Sequence, residues 1–196
     1  MVARGDARRE RIIAVAFQEF TAFGFRGASL ARIADGAGIT QPGLLHHFPG
    51  KAELLIAVLH ERDQRDGQRI GIDLDGVTPW PRLFDDLRAL VDFNSRVPGL
   101  VQLFTVLNGE AVTDGHPARE WARERYRRLI EHADRSLRAG VEAGELKADL
   151  DTLACAQRLF AVMDGLQQQW LLDPDRVDMP RAFGAFLAEV ERSVRA

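Results

Sequence analysis

The sequence predicts an all-α protein, and three observations carry the prediction. Apolar residues recur at helical spacing through most of the 196 residues. No stretch shows the alternation of a half-buried strand. Capping residues stand ahead of prolines that fit a first helical turn, as at Thr40 with Pro42 and Asp178 with Pro180.

The first helix is expected from about Arg8 to Phe23, with Ile12, Ile13, Ala16, Phe17 and Phe20 on one stripe and Gly24 closing it. Ser29 can cap a short second helix. Leu30 and Ile33 give that helix an apolar face, and Ala34 is small enough to admit a close neighbour. Gly36 and Gly38 break it, Gly38 supplying the positive φ of a sharp turn, and Ile39 is expected behind the turn.

Thr40 caps a brief third helix in which Leu44 and Phe48 face inward. Gln41, Gly43, Leu45, His46 and His47 then project outward or along the rim. Pro49-Gly50 ends this helix, and Lys51 opens a long one reaching about Arg69, with Leu54, Leu55, Val58 and Leu59 inward. Gly71, Gly76 and Pro79 mark a loop.

Pro81 then opens a helix with Leu83, Phe84, Leu87, Leu90 and Val91 on one side, and Pro98-Gly99 another with Val101, Phe104 and Leu107. After a break from Gly109 to Gly115, a charged helix is expected over Pro117 to Ala139, striped by Trp121, Ile130, Ala133 and Leu137. The segment 140–151 is a connector. Asp149 or Asp151 can cap the helix carrying Leu153, Phe160, Met163, Leu166 and Trp170, and Asp178 caps a last one carrying Phe183, Phe186, Leu187 and Val190.

Composition places the chain among ordinary globular proteins, at 46% hydrophobic and 28% charged residues. No apolar run is long enough to span a bilayer, and the charged amino terminus lacks a signal-peptide core, so no membrane partner and a cytoplasmic location are expected. The single Cys155 excludes an intrachain disulfide and a cysteine-rich metal finger. The formal net charge is −3, but residues 1–52 hold seven basic groups against four acids. A basic amino-terminal part on an acidic remainder suits contact with a polyanion.

Two short helices meeting at a glycine turn, the second rich in outward polar groups, suggest a helix-turn-helix. The stretch RERIIAVAFQEFTAFGFRGASLARIADGAGITQPGLLHHFPGKAELLIAVL, from Arg9 to Leu59, resembles the DNA-binding domain of the TetR family of bacterial transcriptional regulators. The likeness lies in Ala16, Phe17 and Phe20, in the run Gly24 to Ser29, in the turn from Ile33 to Thr40, and in HFPGK ending at Lys51. Leu45 departs from it, standing where many members carry a tyrosine, so a contact there is apolar.

The resemblance implies a TetR-like fold, a three-helix headpiece with a helical body for ligand binding and dimerisation. Residues 1–52 are then the DNA-binding domain and 53–196 the effector-binding and dimerisation domain. The function implied is a ligand-responsive regulator, expected to repress, acting as a homodimer on a palindromic operator in double-stranded DNA.

On that reading Arg8, Ser29, Thr40, Gln41, Pro42, Gly43, Leu45, His46, His47 and Lys51 are the DNA-binding candidates. A mainly apolar small-molecule effector is expected among Phe84, Phe104, Trp121 and Phe160, with Asn94, Asn108, Asp164 and Gln167 as polar contacts. Met163, Trp170, Phe183, Phe186, Leu187 and Val190 are the dimer-interface candidates.

No cofactor or metal is expected. An all-α enzyme, or a small-molecule-binding protein without DNA binding, is the alternative. It is disfavoured because the sequence offers no inward Glu-x-x-His pair, no His-Glu-x-x-His helix and no glycine-rich phosphate loop. His46 and His47 point to different azimuths of one helix and are poorly placed to share a metal.

Overall fold

The computed structural model describes the backbone of residues 2–70 and 73–196 and the side chains of residues 7–63 and 73–196. Gly71, read above as a loop marker, and the side chains of Arg4 and Asp6 lie outside the described residues.

Among the described residues the chain forms nine helices. They are α1 (Val2–Gly27), α2 (Leu30–Gly36), α3 (Gln41–His47), α4 (Lys51–Ile70), α5 (Trp80–Ser95), α6 (Pro98–Ala111), α7 (Arg119–Glu142), α8 (Thr152–Leu172) and α9 (Met179–Val194). The all-α prediction holds, the one β feature among the described residues being an isolated antiparallel bridge between Leu146 and Arg195.

Helix boundaries follow local chemistry. Asp151 rather than Asp149 caps α8, its carboxylate accepting the Ala154 N–H at 2.9 Å, and Asp178 caps α9 through the Arg181 N–H at 3.0 Å. The first helix begins earlier than its apolar stripe, at Val2, because helical backbone needs no buried face to continue from a folded end. Gly24 breaks α1 as expected, but by a kink at φ 64° after which one further turn, to Gly27, forms a hook.

Two compact units result, each with its own apolar core. The first comprises residues 1–66 and 102–122, the second residues 67–101 and 123–196. These packing units follow different boundaries from a functional division at residue 52, because α4, α6 and α7 each carry residues of both.

In the first unit Ile12, Phe20, Ile33, Leu44, Leu54, Leu55, Leu59, Leu103 and Leu107 are fully enclosed. At ~1.5–3 kcal/mol for each such side chain, burial drives the four amino-terminal helices and α6 together. In the second, Phe84, Leu137 and Phe183 anchor a core built from α5, α7, α8 and α9. The loop at 73–76 is tied to α7 by Arg135, which donates to the Leu74 carbonyl at 2.6 Å, and by Arg128 on Asp75 at 3.2 Å. His132 is buried beside them, and burial, then the Arg135 charge, pushes its pKa below the ordinary histidine value.

Candidate functional site

The helix-turn-helix is built by two caps and one glycine. Ser29 Oγ accepts the Arg32 N–H at the start of α2, while the Ser29 N–H donates to Glu19 Oε1 at 2.9 Å. Glu19 also accepts Arg32 Nε at 2.7 Å, so one carboxylate joins α1 to α2. That charge pair and the Ser29 bond hold Glu19 below the ordinary carboxylate pKa, against a larger opposing pull from desolvation that they outweigh together. Gly38, at φ 68°, makes the turn, and Thr40 Oγ1 accepts the Gly43 N–H at 3.2 Å to start α3.

The sequence reading of α3 is met residue by residue in burial. Leu44 is 0% exposed and Phe48 4%, which fixes the rotation of a seven-residue helix. Gln41, Pro42, Leu45 and His46 are therefore exposed, and Gly43 and His47 half-buried at the rim. Leu45 is one of few large apolar side chains left in solvent, at 38% exposure. The His46 and His47 rings meet edge to face with centroids 5.9 Å apart. Arg8 is exposed on α1.

Lys51 is placed differently from the simple phosphate contact expected of it. Its ammonium donates to the carbonyls of Arg26 at 3.2 Å and Ala28 at 3.0 Å, and it lies 4.9 Å from the centre of the Phe25 ring. Two of its three donors thus satisfy carbonyls at the end of α1, where free acceptors attract a cation. Sequence spacing could not show this, because the partners lie 23 and 25 residues away.

A second group grips the same hook. Glu110, on α6, accepts the Phe25 N–H through Oε2 at 2.8 Å. His116 stands 3.5 Å from that oxygen, its ring edge-on to Phe25 at 5.1 Å. The sequence gives Glu110 no role and suggests an isolated surface histidine at His116, which is instead buried, and no local pattern reveals a partner 85 positions away.

The effector candidates do not all fall in one unit. Phe104, Asn108 and Trp121 belong to the first, where Phe104 stacks on Trp121 at 5.8 Å and Trp121 Nε1 donates to Asp63 at 3.0 Å. Phe84, Asn94, Phe160, Asp164 and Gln167 belong to the second. Phe84 is 0% exposed and packs edge-on to Trp80, and Phe160 is buried in the same core. Both pack in the core of the second unit, and that packing is enough by itself to account for their helical spacing.

Asn94 and Gln167 are buried polar groups, and Asp164 accepts the Tyr126 hydroxyl at 2.6 Å. Burial raises the Asp164 pKa, and the Tyr126 bond pulls it partly back. A groove of about 630 Å³ in the first unit is lined by Arg9, Glu53, His60, Glu61 and Pro117 among others, and by none of the effector candidates.

The dimer candidates differ in how much surface they offer. Met163, Phe183 and Leu187 are buried in the subunit's own core, and Trp170, Phe186 and Val190 are half-buried against it. A side chain already enclosed in one subunit has no area left to offer a second. The faces of α8 and α9 turned away from that core carry Ala161, Gly165, Gln168 and Leu172, and Gly184, Ala185 and Ala188. An apolar-stripe search overlooks such a face because most of these residues are small.

Known proteins share the fold and the sequence pattern of both parts of the chain. A family profile described as bacterial regulatory proteins, tetR family, matches residues 12–58. One described as BetI-type transcriptional repressor, C-terminal, matches residues 82–195, more than half of the chain. RutR of Escherichia coli is 42% identical over 56 residues, an alignment spanning 29% of this chain and only 26% of RutR.

TtgR of Pseudomonas putida is 29% identical over 182 residues, covering 87% of this chain and 83% of TtgR. The solved complex of SmeT with triclosan superposes at a TM-score of 0.79 with 21% identity, covering 97% of this chain and 92% of SmeT. Among the described residues no helix is long and apolar enough to cross a membrane. With both its headpiece and its body matched, the chain belongs to the TetR family of bacterial transcriptional regulators.

Proposed function

We propose that the protein is a homodimeric, ligand-responsive repressor that recognises a palindromic operator in double-stranded DNA by inserting α3 into the major groove. The observation that carries this reading is the fixed rotation of α3. Leu44 and Phe48 are buried, so Gln41, Leu45 and His46 face outward on a helix whose diameter of about 10–12 Å fits a major groove about 12 Å wide.

Gln41, at the amino end, can pair bidentately with an adenine edge, and Leu45 can meet a thymine methyl. Thr40, Ser29, His47 and Arg8 border that face, and Lys51 keeps one donor for a phosphate beyond the two it spends on the hook.

Dimerisation through the outer faces of α8 and α9 supplies the second recognition helix, since such proteins read half-sites about 34 Å apart. Repression is supported by the description of the matching carboxy-terminal profile. A mainly apolar effector is supported by the complex of the similarly folded SmeT with triclosan, and Asn94, Asp164 and Gln167 remain as polar contacts.

Footprinting the purified protein on DNA flanking its own gene, with and without candidate metabolites, tests the proposal. Two protected half-sites related by a dyad, and loss of protection with one metabolite, are expected. Binding that never exceeds that to random DNA would refute it.

A further inference from the structure

The hook at residues 24–28 is held from two sides. Gly24, at φ 64°, turns α1 into a final turn, and a Cβ at that position would come within 2.7 Å of Glu110 Oε1. The missing side chain is what leaves room for the carboxylate. Glu110 Oε2 takes the Phe25 N–H at 2.8 Å.

His116 stands beside Glu110. Its Nδ1 accepts the Ala118 N–H at 3.2 Å, so the neutral ring carries its proton on Nε2, facing Glu110 at 3.5 Å. From the other side Lys51, the first residue of α4, donates to Arg26 and Ala28 and covers the Phe25 ring. Only Phe48, Pro49 and Gly50 separate Lys51 from the end of α3.

We infer that Glu110 is a positioning residue for operator recognition. By filling the Gly24 notch and fixing the Phe25 N–H, it sets the hook on which Lys51 rests, and so the direction in which α3 leaves the headpiece. Glu110 touches no base or phosphate in this account. It acts through Phe25 and Lys51. The inference rests on the reading of α3 as the recognition helix.

Full-length Glu110→Ala, Glu110→Asp and Glu110→Gln are compared by fluorescence anisotropy on the footprinted duplex and on a scrambled duplex, with sedimentation and thermal melting alongside. Losing the bond should weaken operator binding about tenfold in the Ala variant. The Asp variant, which keeps the charge but falls short of Phe25, should lose a comparable factor and guards against an unfolded Ala variant. The Gln variant, whose amide oxygen can accept the same N–H, should stay within about twofold of wild type.

Affinity for scrambled DNA and the dimer should not change, and adding Lys51→Ala to Glu110→Ala should cost less than the two separate losses combined. Operator affinity unchanged in both Ala and Asp variants would overturn the inference alone. So would a parallel loss on both duplexes that tracks the melting temperature. A wild-type chain with no preference for any duplex would overturn the DNA-binding reading and this inference together.

Discussion

The α2–α3 hairpin and the α8–α9 pair present opposite relations between what a sequence emphasises and what a surface offers. Two buried residues, Leu44 in α3 and Phe48 at its carboxy-terminal cap, leave Gln41, Leu45 and His46 facing outward. In α8 and α9 the conspicuous residues, Met163, Phe183 and Leu187, are enclosed within the subunit, and the outward faces are small and plain. Hydrophobic periodicity identifies buried faces. It locates an exposed site only where burying one side leaves little choice about the other.

The largest expected effect separates the two cores. Phe20→Ala removes a fully enclosed ring from the first unit and should cost roughly 3–5 kcal/mol. Operator binding should be lost at temperatures where sedimentation still reports a dimer. Loss of the dimer in the same step would show that the units do not stabilise separately.

Dimerisation sharpens the comparison next. Gly184 has open space where a Cβ would stand, so Gly184→Arg should leave the subunit folded while weakening the dimer by at least about tenfold. Phe186→Glu is a poorer probe, because Phe186 packs against the subunit's own core and its loss disturbs the fold as well. A Gly184→Arg dimer as tight as wild type would move the interface off these faces.

Lys51→Ala should have two smaller effects. Losing the bonds to Arg26 and Ala28 should lower headpiece stability by about 1–2 kcal/mol. If its third donor meets a phosphate, the slope of log affinity against log salt should also flatten by roughly one unit per subunit. Destabilisation with an unchanged slope would leave Lys51 a purely structural clamp.

These contrasts show what was legible. Caps at Thr40, Asp151 and Asp178, the turn at Gly38 and the stripe of α4 are local, and each could be read from residues a few positions apart. Phe84 and Phe160 were read as cavity walls because helical spacing is the same for a core and a cavity lining, and only packing separates the two. The grip of Glu110 and Lys51 on the hook was invisible because it joins positions far apart in sequence. Asp164 and Tyr126 form a half-buried pair whose members are 38 residues apart and lie on different helices, so their partnership too appears only in the fold.

Sequence preference is proposed to reside on the outward face of α3. The direct measurement is the affinity of wild type and Gln41→Ala for duplexes carrying each base pair in turn across the footprinted site. The loss should be about 1–3 kcal/mol at one base pair of each half-site, at positions related by the dyad, with other positions unaffected. A uniform loss across all duplexes, or an unchanged preference at every position, would contradict it.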